Sequence, residues 1–398
     1  MPEQEKSKWT SIFSVNREIP AMPFIILGLV LIAAGGVAAL LVLVKGHEPM
    51  YAVNREVPWG LLIATYAFFV ITSTGLAFIG GLGHAFGVSE FAKMSRRIVV
   101  LAFVTLLAGF TQIGMELGHP FRLMIYFLLS PGFSAPIVWM GLFYGIELLI
   151  LGFELYLIFG PREYGHRVVA FTGFMALLVG IIATSNLGFV FGSINARPFY
   201  HGIYFPVFLV VSGIAGGAAL LSIIYNVVYR FNVPAIYNAS MKALGKLLGI
   251  CIAVLILMYF WKILGSLYTQ PSGAYESIQA LLSGPLAANF WIGEVVLAIL
   301  LPLLLIVLNR KNSPGMLGSA GLAYLVGMFF TRYDFIVAGQ LPPMREGLEG
   351  SGVHTVNGLA HYSPSIAEWL IFALAIGIFL TLYFLAERYL DLGKEIGH

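Results

Sequence analysis

The chain has 398 residues, of which 59% are hydrophobic and only 10% are charged, whereas soluble domains carry about 25% charged residues. This composition excludes an ordinary soluble domain and predicts an all-α protein that crosses a membrane several times. The net charge of +3 is too small to indicate nucleic-acid binding. The single cysteine, Cys251, excludes an intramolecular disulfide and a cysteine-ligated iron–sulfur cluster.

Ten apolar runs are long enough to cross a bilayer, since a hydrocarbon core of about 30 Å requires about 20 helical residues. The first run follows a polar stretch and is longer than the core of a signal peptide, so we expect it to be retained. The ten spans are predicted at 23–44, 58–84, 97–116, 136–159, 167–191, 202–229, 243–268, 286–308, 315–339 and 364–387.

The distribution of basic residues predicts the orientation of these spans. The N-terminal tail, the even-numbered loops and the C-terminal tail hold 15 of the 22 Lys and Arg residues. Because cytoplasmic loops carry an excess of Lys and Arg, both termini are predicted to be cytoplasmic.

Spans 2 and 6 resemble each other weakly, as do the entries to spans 4 and 8. GLLIATYAFFVITSTGLAFIGG from Gly60 and GIYFPVFLVVSGIAGGAALLSI from Gly202 both carry small residues two-thirds of the way along. The pattern predicts two parallel four-helix bundles, spans 2–5 and 6–9, flanked by spans 1 and 10. Convergence of apolar sequence is the alternative. The GxxxG pairs Gly141/Gly145 and Gly213/Gly217 predict close helix packing.

Histidine positions bear on haem binding, because b-type haems between helices need paired histidines. Among the eight histidines, only His84, at the inner end of span 2, lies within a span. We therefore expect neither haem nor an iron–sulfur cluster in this chain.

The outer end of span 3 carries Glu116, His119 and Arg122, while Gly118 and Pro120 end the helix. A quinone headgroup needs donors for two carbonyl oxygens and a nearby acceptor for its protons, which these side chains can supply. The cluster predicts a quinone site. An ordinary interfacial belt of charged and aromatic residues is the alternative.

Three aromatic residues extend this predicted site. Trp59 and Trp139 begin spans 2 and 4 on the same outer side, and we expect them to form aromatic walls. Tyr144 lies three residues above Glu147 on one side of span 4, so it can connect the site to the membrane interior.

Span 4 carries two acids, Glu147 and Glu154, within its apolar run. A charged residue at the centre of a spanning helix costs about 3 kcal/mol, so each acid needs a partner or a role. Their seven-residue spacing places them on one helix face. We predict a proton route through them that His84 extends towards the cytoplasm. Carboxyls hydrogen-bonded for packing specificity are the alternative.

Several motifs together resemble the NrfD/PsrC family of polysulfide-reductase-like membrane subunits. They are VPWG opening span 2, ELGHPFR closing span 3 and PGFSAPIVW leading into span 4. The family usually has Asp, Leu, Gly, Arg, Pro at the end of the third span, where this chain has Glu116-Leu-Gly-His119-Pro and its arginine at 122. The length is similar to the ten-span branch found in sulfite-reduction-associated, quinone-reductase, periplasmic hydrogenase and alternative complex III assemblies.

The resemblance implies a function and partners. Family members of this type reside in the prokaryotic cytoplasmic membrane, bind menaquinone or ubiquinone near the outer face of a four-helix bundle, and carry no redox metal. They exchange electrons with an extracytoplasmic iron–sulfur subunit of ferredoxin type and further redox subunits. In this chain the corresponding bundle is spans 2–5.

The expected organisation has four parts: a tail with span 1 (1–57), the quinone-site bundle (58–191), the second bundle (202–339), and an outer loop with span 10 and a tail (340–398). The predicted function is that of a quinone-reactive subunit of a respiratory oxidoreductase in the lipid membrane. A proton-coupled solute transporter and a redox-inactive membrane anchor are the alternatives. The parallel polarity of the repeat argues against the transporter.

Overall fold

The computed structural model describes residues 19–118, 122, 125, 129–160, 164–344, 355–356 and 358–393. Within these residues, ten helices are long and apolar enough to cross a membrane. They are α1 (Ala21–Lys45), α2 (Leu61–His84), α3 (Ser95–Glu116), α4 (Pro136–Phe159), α5 (His166–Gly192), α6 (Tyr204–Val228), α7 (Asn238–Thr269), α8 (Asn289–Leu308), α9 (Pro314–Ala338) and α10 (Ile366–Tyr389). The predicted all-α class with ten spans is confirmed.

Each predicted span begins and ends within three residues of the corresponding helix, with the exception of span 7. The sequence predicts span 7 from 243, but α7 begins at Asn238, directly after a 3₁₀ turn at Ala235–Tyr237. Lys242 and Lys246 interrupt the apolar run there. Both are exposed, so the helix continues through them without burying a charge.

Shorter elements complete the described chain. Helices Ser89–Ala92 and Ala274–Leu282 precede α3 and α8, and Thr355–Val356 pairs antiparallel with Leu359–Ala360 before α10. The first part of α8, Asn289–Leu300, is a π-helix, and it continues as an α-helix from Leu301. Hydropathy does not reveal these elements, because each is too short or too uniformly apolar to have its own periodicity.

The spanning helices form two four-helix bundles with matching neighbours. In the first bundle α2 and α4 each contact α3 and α5, and in the second α6 and α8 each contact α7 and α9. Between the bundles α2 packs on α6, α5 on α6 and α9 on α2. α10 packs on α1 and α3. These contacts support the predicted grouping of spans 2–5 and 6–9 into two bundles, and the parallel repeat stays a prediction.

The two bundles meet backbone to backbone. A side chain at Gly75 of α2 would overlap the carbonyl group of Gly213 of α6, and one at Gly217 would overlap Gly75. The packing role predicted for Gly213/Gly217 is therefore confirmed. The same prediction is wrong for Gly145, because a Cβ there would meet open space.

A buried ion pair joins α3 to α10 at the end predicted to be cytoplasmic. Arg97 Nε and Nη2 donate to the two carboxylate oxygens of Glu387 at 2.5 and 3.2 Å. Tyr383 donates to the same carboxylate, and the Tyr225 ring centroid lies 4.6 Å from the guanidinium carbon. Both charges are 1% exposed. The pair is stabilising only while both partners remain.

At the opposite end, Arg197 ties three loops together. Its guanidinium donates to the carbonyl oxygens of Gln340 and Pro342 at 2.9 and 2.7 Å, and to that of Glu56 at 2.9 Å. These carbonyls belong to the connections α9–α10 and α1–α2, while Arg197 follows α5. The three loops at this end are therefore held in one arrangement.

Glu387→Ala should lower the free energy of unfolding by about 3–5 kcal/mol, because Arg97 would remain buried without its carboxylate. The double variant Arg97→Met/Glu387→Met removes both charges and should recover most of that loss. Denaturant unfolding of the purified protein measures both. A Glu387→Ala variant as stable as the wild type would contradict the assignment.

Candidate functional site

One face of α4 carries two buried acids, and α5 presents glycines opposite both of them. Glu147 is 0% exposed and Glu154 is 2% exposed. A Cβ at Gly180 would lie 2.8 Å from Glu147 Oε1, and one at Gly173 would lie 3.4 Å from Glu154 Oε1. The glycines have the same seven-residue spacing as the acids. α5 is therefore shaped to admit both carboxyls between the helices.

A chain of hydroxyl groups leads to Glu147 across three helices. Tyr144 of α4 and Thr184 of α5 are hydrogen-bonded at 3.0 Å, and Thr184 donates to Thr74 of α2 at 2.9 Å. Thr74 approaches Glu147 Oε1 at 3.5 Å. The other carboxyl oxygen of Glu147 has no hydrogen-bond partner among the described residues. Such a chain can polarise the carboxyl and pass a proton towards it.

Glu154 is paired with His84, the histidine predicted to extend the proton route. His84 Nδ1 lies 2.7 Å from Glu154 Oε1, and both side chains are buried. His84 Nε2 has no partner within the described part of the chain. The structure thus brings together the residues of the predicted route, while their role in proton transfer stays a prediction.

Glu116, the last residue of α3, lies beside a second set of polar groups. Its electrostatic neighbours include Glu368 of α10 and Tyr51. Tyr51 donates to the carbonyl oxygen of Met115 at 2.8 Å. Glu116 Oε2 is buried, and no described residue hydrogen-bonds to it. The carboxyl therefore keeps the capacity to bind one more polar group.

Glu368 organises the end of the first bundle at which α3 terminates. It is 0% exposed, and it accepts hydrogen bonds from the backbone of Ala52 at 3.0 Å and of Ser365 at 2.8 Å. Tyr362 donates to its other oxygen at 2.5 Å. Burial, and next the nearby carboxylate, raise the pKa of Tyr362 above its usual range. Burial and the charges of Glu116 and Glu368 similarly raise the pKa of Tyr51, so both hydroxyls remain donors.

Trp59 precedes α2, and both its backbone and its ring already have partners. Its backbone exchanges two hydrogen bonds with the Gln340 side chain at 3.0 and 2.8 Å. Its ring packs edge-on against Phe191 with centroids 5.2 Å apart.

Trp139, Arg122 and His119 have different placements. The Trp139 indole donates to the carbonyl oxygen of Phe133 at 2.8 Å, and its side chain is 37% exposed. Arg122 is exposed. His119 lies outside the described residues. The structure therefore unites Tyr144, Glu147, Glu154 and His84 inside the first bundle, and places Glu116 separately, beside α10.

The second bundle contains its own buried acids. Glu294 of α8 accepts a hydrogen bond from Tyr259 of α7, and Asp334 of α9 accepts one from Asn289 at 3.1 Å. A cavity beside Glu294 and Asp334 has a volume of about 40 Å³, which suits a water molecule and is too small for an aromatic ring. Each bundle thus has buried acids in its interior.

Arg332 lies buried where the bundles adjoin. Its Nη2 donates to Ser212 Oγ of α6 at 2.7 Å. Its electrostatic neighbours include Tyr144 in the first bundle and Tyr259 in the second. The cation is therefore shared electrostatically between the two interiors.

Sequence reasoning missed several of these residues. Gly173 and Gly180 carry a visible signal, because their spacing equals that of the acids in the preceding span. Thr74 and Thr184 carry no such signal, since threonine is common in spanning helices. Glu368 occupies position N3 of a capping box whose N-cap is Ser365, so its sequence context indicates only a helix start.

The described residues contain no group of three or more His, Cys, Asp or Glu side chains placed to hold a metal ion. The donor set consists of isolated carboxyls, hydroxyls and one imidazole. Such groups suit hydrogen bonding and proton transfer.

Comparisons with known proteins agree on one family. A family model described as "Polysulphide reductase, NrfD" matches residues 50–343. A selenate reductase subunit of Mesobacillus selenatarsenatis is 24% identical over 88% of this chain and 90% of its own length. The Hdr-like menaquinol oxidoreductase integral membrane subunit of Archaeoglobus fulgidus is 24% identical over 80% of each chain. Protein NrfD of Escherichia coli is 27% identical over 42% of this chain and 52% of its own.

Gly180→Ala should destabilise the first bundle by about 1–3 kcal/mol, because the added methyl group overlaps the Glu147 carboxyl. Gly145→Ala is the matched control, since a methyl group there meets open space and alanine is the better helix former. Thermal unfolding of the two purified variants measures the difference. Equal stability would mean that α4 and α5 are not closely packed at Glu147.

Proposed function

The chain belongs to the NrfD polysulphide reductase family, and we propose that it is the quinone-reactive membrane subunit of a multisubunit respiratory oxidoreductase. The observation that carries this proposal is the set of buried titratable groups in the first bundle, Glu147 and the pair Glu154–His84. Quinone chemistry moves protons together with electrons, and these groups supply a place for protons inside the membrane. The names of two relatives, a selenate reductase subunit and a menaquinol oxidoreductase subunit, support it.

The electrons require a partner. Oxidation of one quinol releases two electrons and two protons, and reduction of a quinone takes up the same number. With a single cysteine, the chain cannot ligate an iron–sulfur cluster alone. Electrons would therefore pass between the membrane quinone, menaquinone or ubiquinone, and an extracytoplasmic iron–sulfur subunit of ferredoxin type, which connects to further redox subunits.

The headgroup site in this proposal lies at the outer end of α3. Glu116 keeps a buried oxygen without a partner among the described residues, and His119 and Arg122 follow it in the chain. A carboxyl and an imidazole there can donate to the carbonyl oxygens of the headgroup and accept its protons. Trp139 is exposed at the edge of the bundle, and Trp59 and Tyr144 complete the proposed lining.

Protons would travel between the site and the cytoplasm along α4. Tyr144 and Thr184 lead to Thr74, which approaches Glu147. Glu154 lies about 10 Å further along the helix axis. That gap needs a bridging water or a rotating side chain. From Glu154 the proton can reach His84, the last residue of α2.

The predicted orientation gives this route its direction. With both termini in the cytoplasm of a prokaryotic cell, the inner end of α2 faces the cytoplasm and the outer end of α3 faces the partner. The four-part organisation at 1–57, 58–191, 202–339 and 340–398 belongs to the same proposal.

A transporter would use the same acids differently. Transporters of the inverted-repeat kind have helices broken at mid-membrane in both halves. Here α4 is α-helical throughout, and its counterpart α8 contains a continuous π-helix. Purification with cluster-bearing proteins would favour the oxidoreductase, and purification alone would favour the transporter. An inert anchor would leave the buried acids without a use.

Glu116→Gln and His119→Ala should each raise the apparent KM for quinol about 10-fold or more, because a bound carbonyl oxygen loses its donor or its proton acceptor. Steady-state kinetics of the assembled complex with a short-chain menaquinol measure this. Arg55→Gln is the control, since Arg55 is an exposed cation of an outer loop. Unchanged KM in both site variants would move the site elsewhere.

Glu147→Gln and Glu154→Gln should bind quinone normally but lose most turnover, because the amide keeps the hydrogen bonds and removes the titratable proton. Glu294→Gln, in the second bundle, is the matched control and should retain turnover. Quinone binding, turnover and proton uptake are measured in proteoliposomes. Wild-type turnover and uptake in both variants would leave the two acids as packing residues.

A further inference from the structure

A cavity of about 170 Å³ opens between the first turns of α7, the last turn of α8 and the start of α9, on the side predicted to be cytoplasmic. This is several times the space of one water molecule, about 30 Å³. The α7 side supplies Lys242 and Lys246, and the α8–α9 connection supplies Asn309, Asn312 and Ser313. The cavity lies in the second bundle, away from the acids of the first.

The polar part of this cavity is positively charged. Lys242 and Lys246 are four residues apart, so they lie on the same face of α7. Arg310 and Lys311 belong to the adjacent connection. The residues that line the cavity are basic, neutral polar or apolar, and none is acidic. The cavity is therefore suited to an anion.

The connection that closes the cavity is fixed by its own hydrogen bonds. The Asn309 side chain accepts from the backbone of Ser313 at 2.7 Å and donates to its carbonyl oxygen at 3.0 Å. Asn312 adopts a left-handed conformation with φ of 51°. The backbone of this connection is consequently held in place before any ligand binds.

The cavity also has an apolar part. Met241, Ile306 and Leu317 line it. On the neighbouring turns of α7 and α8, Ile250 is 63% exposed and Val307 is 69% exposed. A bound molecule with a negative headgroup could lay its chains along these residues.

We propose that this cavity binds the phosphate headgroup of an anionic phospholipid of the inner leaflet. Two lysines beside a hydrogen-bonding connection recognise the phosphate, and the apolar floor recognises the adjoining glycerol and chains. Basic pockets between helices at the cytoplasmic surface are suited to such headgroups. The position at the ends of spanning helices favours a lipid over a soluble phosphate compound.

The test uses the full-length protein in nanodiscs of phosphatidylcholine containing a small fraction of phosphatidylglycerol. Native mass spectrometry counts the phosphatidylglycerol molecules that remain bound after the protein is released from the nanodisc. Lys242→Gln/Lys246→Gln should weaken retention roughly 30-fold, since each basic residue near an anionic headgroup contributes about fivefold. The control, Lys93→Gln/Arg230→Gln, removes two charges from the same side outside the cavity and should retain the lipid as the wild type does.

Three results would overturn the proposal. The first is equal retention of phosphatidylglycerol and phosphatidylcholine by the wild type, and the second is an equal loss in both double variants. The third is displacement of the lipid by millimolar inorganic phosphate, which would identify a soluble anion as the ligand. Because the readout is lipid retention, it is independent of quinone turnover.

Discussion

The cost of placing ionisable groups in a low-dielectric interior governs this structure. Each acid inside the membrane must have hydrogen-bond partners and space, and these come from neighbouring helices. Glu147 and Glu154 fit because α5 presents Gly180 and Gly173 opposite them, and His84 fits because its Nδ1 shares a hydrogen bond with Glu154 Oε1. Polar side chains of α2, α4 and α5 therefore meet in the interior of the first bundle.

The two bundles share an architecture and differ in polar content. In the first, Glu147 and Glu154 lie on one helix. Hydroxyl groups lie beside Glu147, and His84 lies beside Glu154. In the second, Glu294 and Asp334 come from different helices beside a water-sized cavity. Arg332 lies between them, within electrostatic reach of tyrosines in both. The two bundles thus have matching helix contacts, and within the described residues of the bundles two acids lie on one face of a helix in the first alone.

Hydropathy predicted the spans well because a bilayer imposes one length and one composition on every helix that crosses it. The heptad spacing of Glu147 and Glu154 correctly placed both on one face. It could not show that Glu116 lies beside Glu368, because that meeting depends on how α10 packs against α3. The sequence also could not predict the hydrogen bond between Thr74 and Thr184, because the two residues belong to helices distant in the chain.

The π-helix of α8 has a consequence for how this chain can change in length. A π-helical turn accommodates one residue more than an α-helical turn, and Glu294 lies within the π segment. Deletion of one residue there removes the surplus of one π turn, so the helix on either side of the deletion can keep its orientation and Glu294 its partners. The same deletion in α4, which is α-helical throughout, has no surplus residue to remove. The part of α4 beyond the deletion would rotate by about 100°, and a deletion between the two acids would turn Glu154 away from Gly173 while Glu147 stayed opposite Gly180.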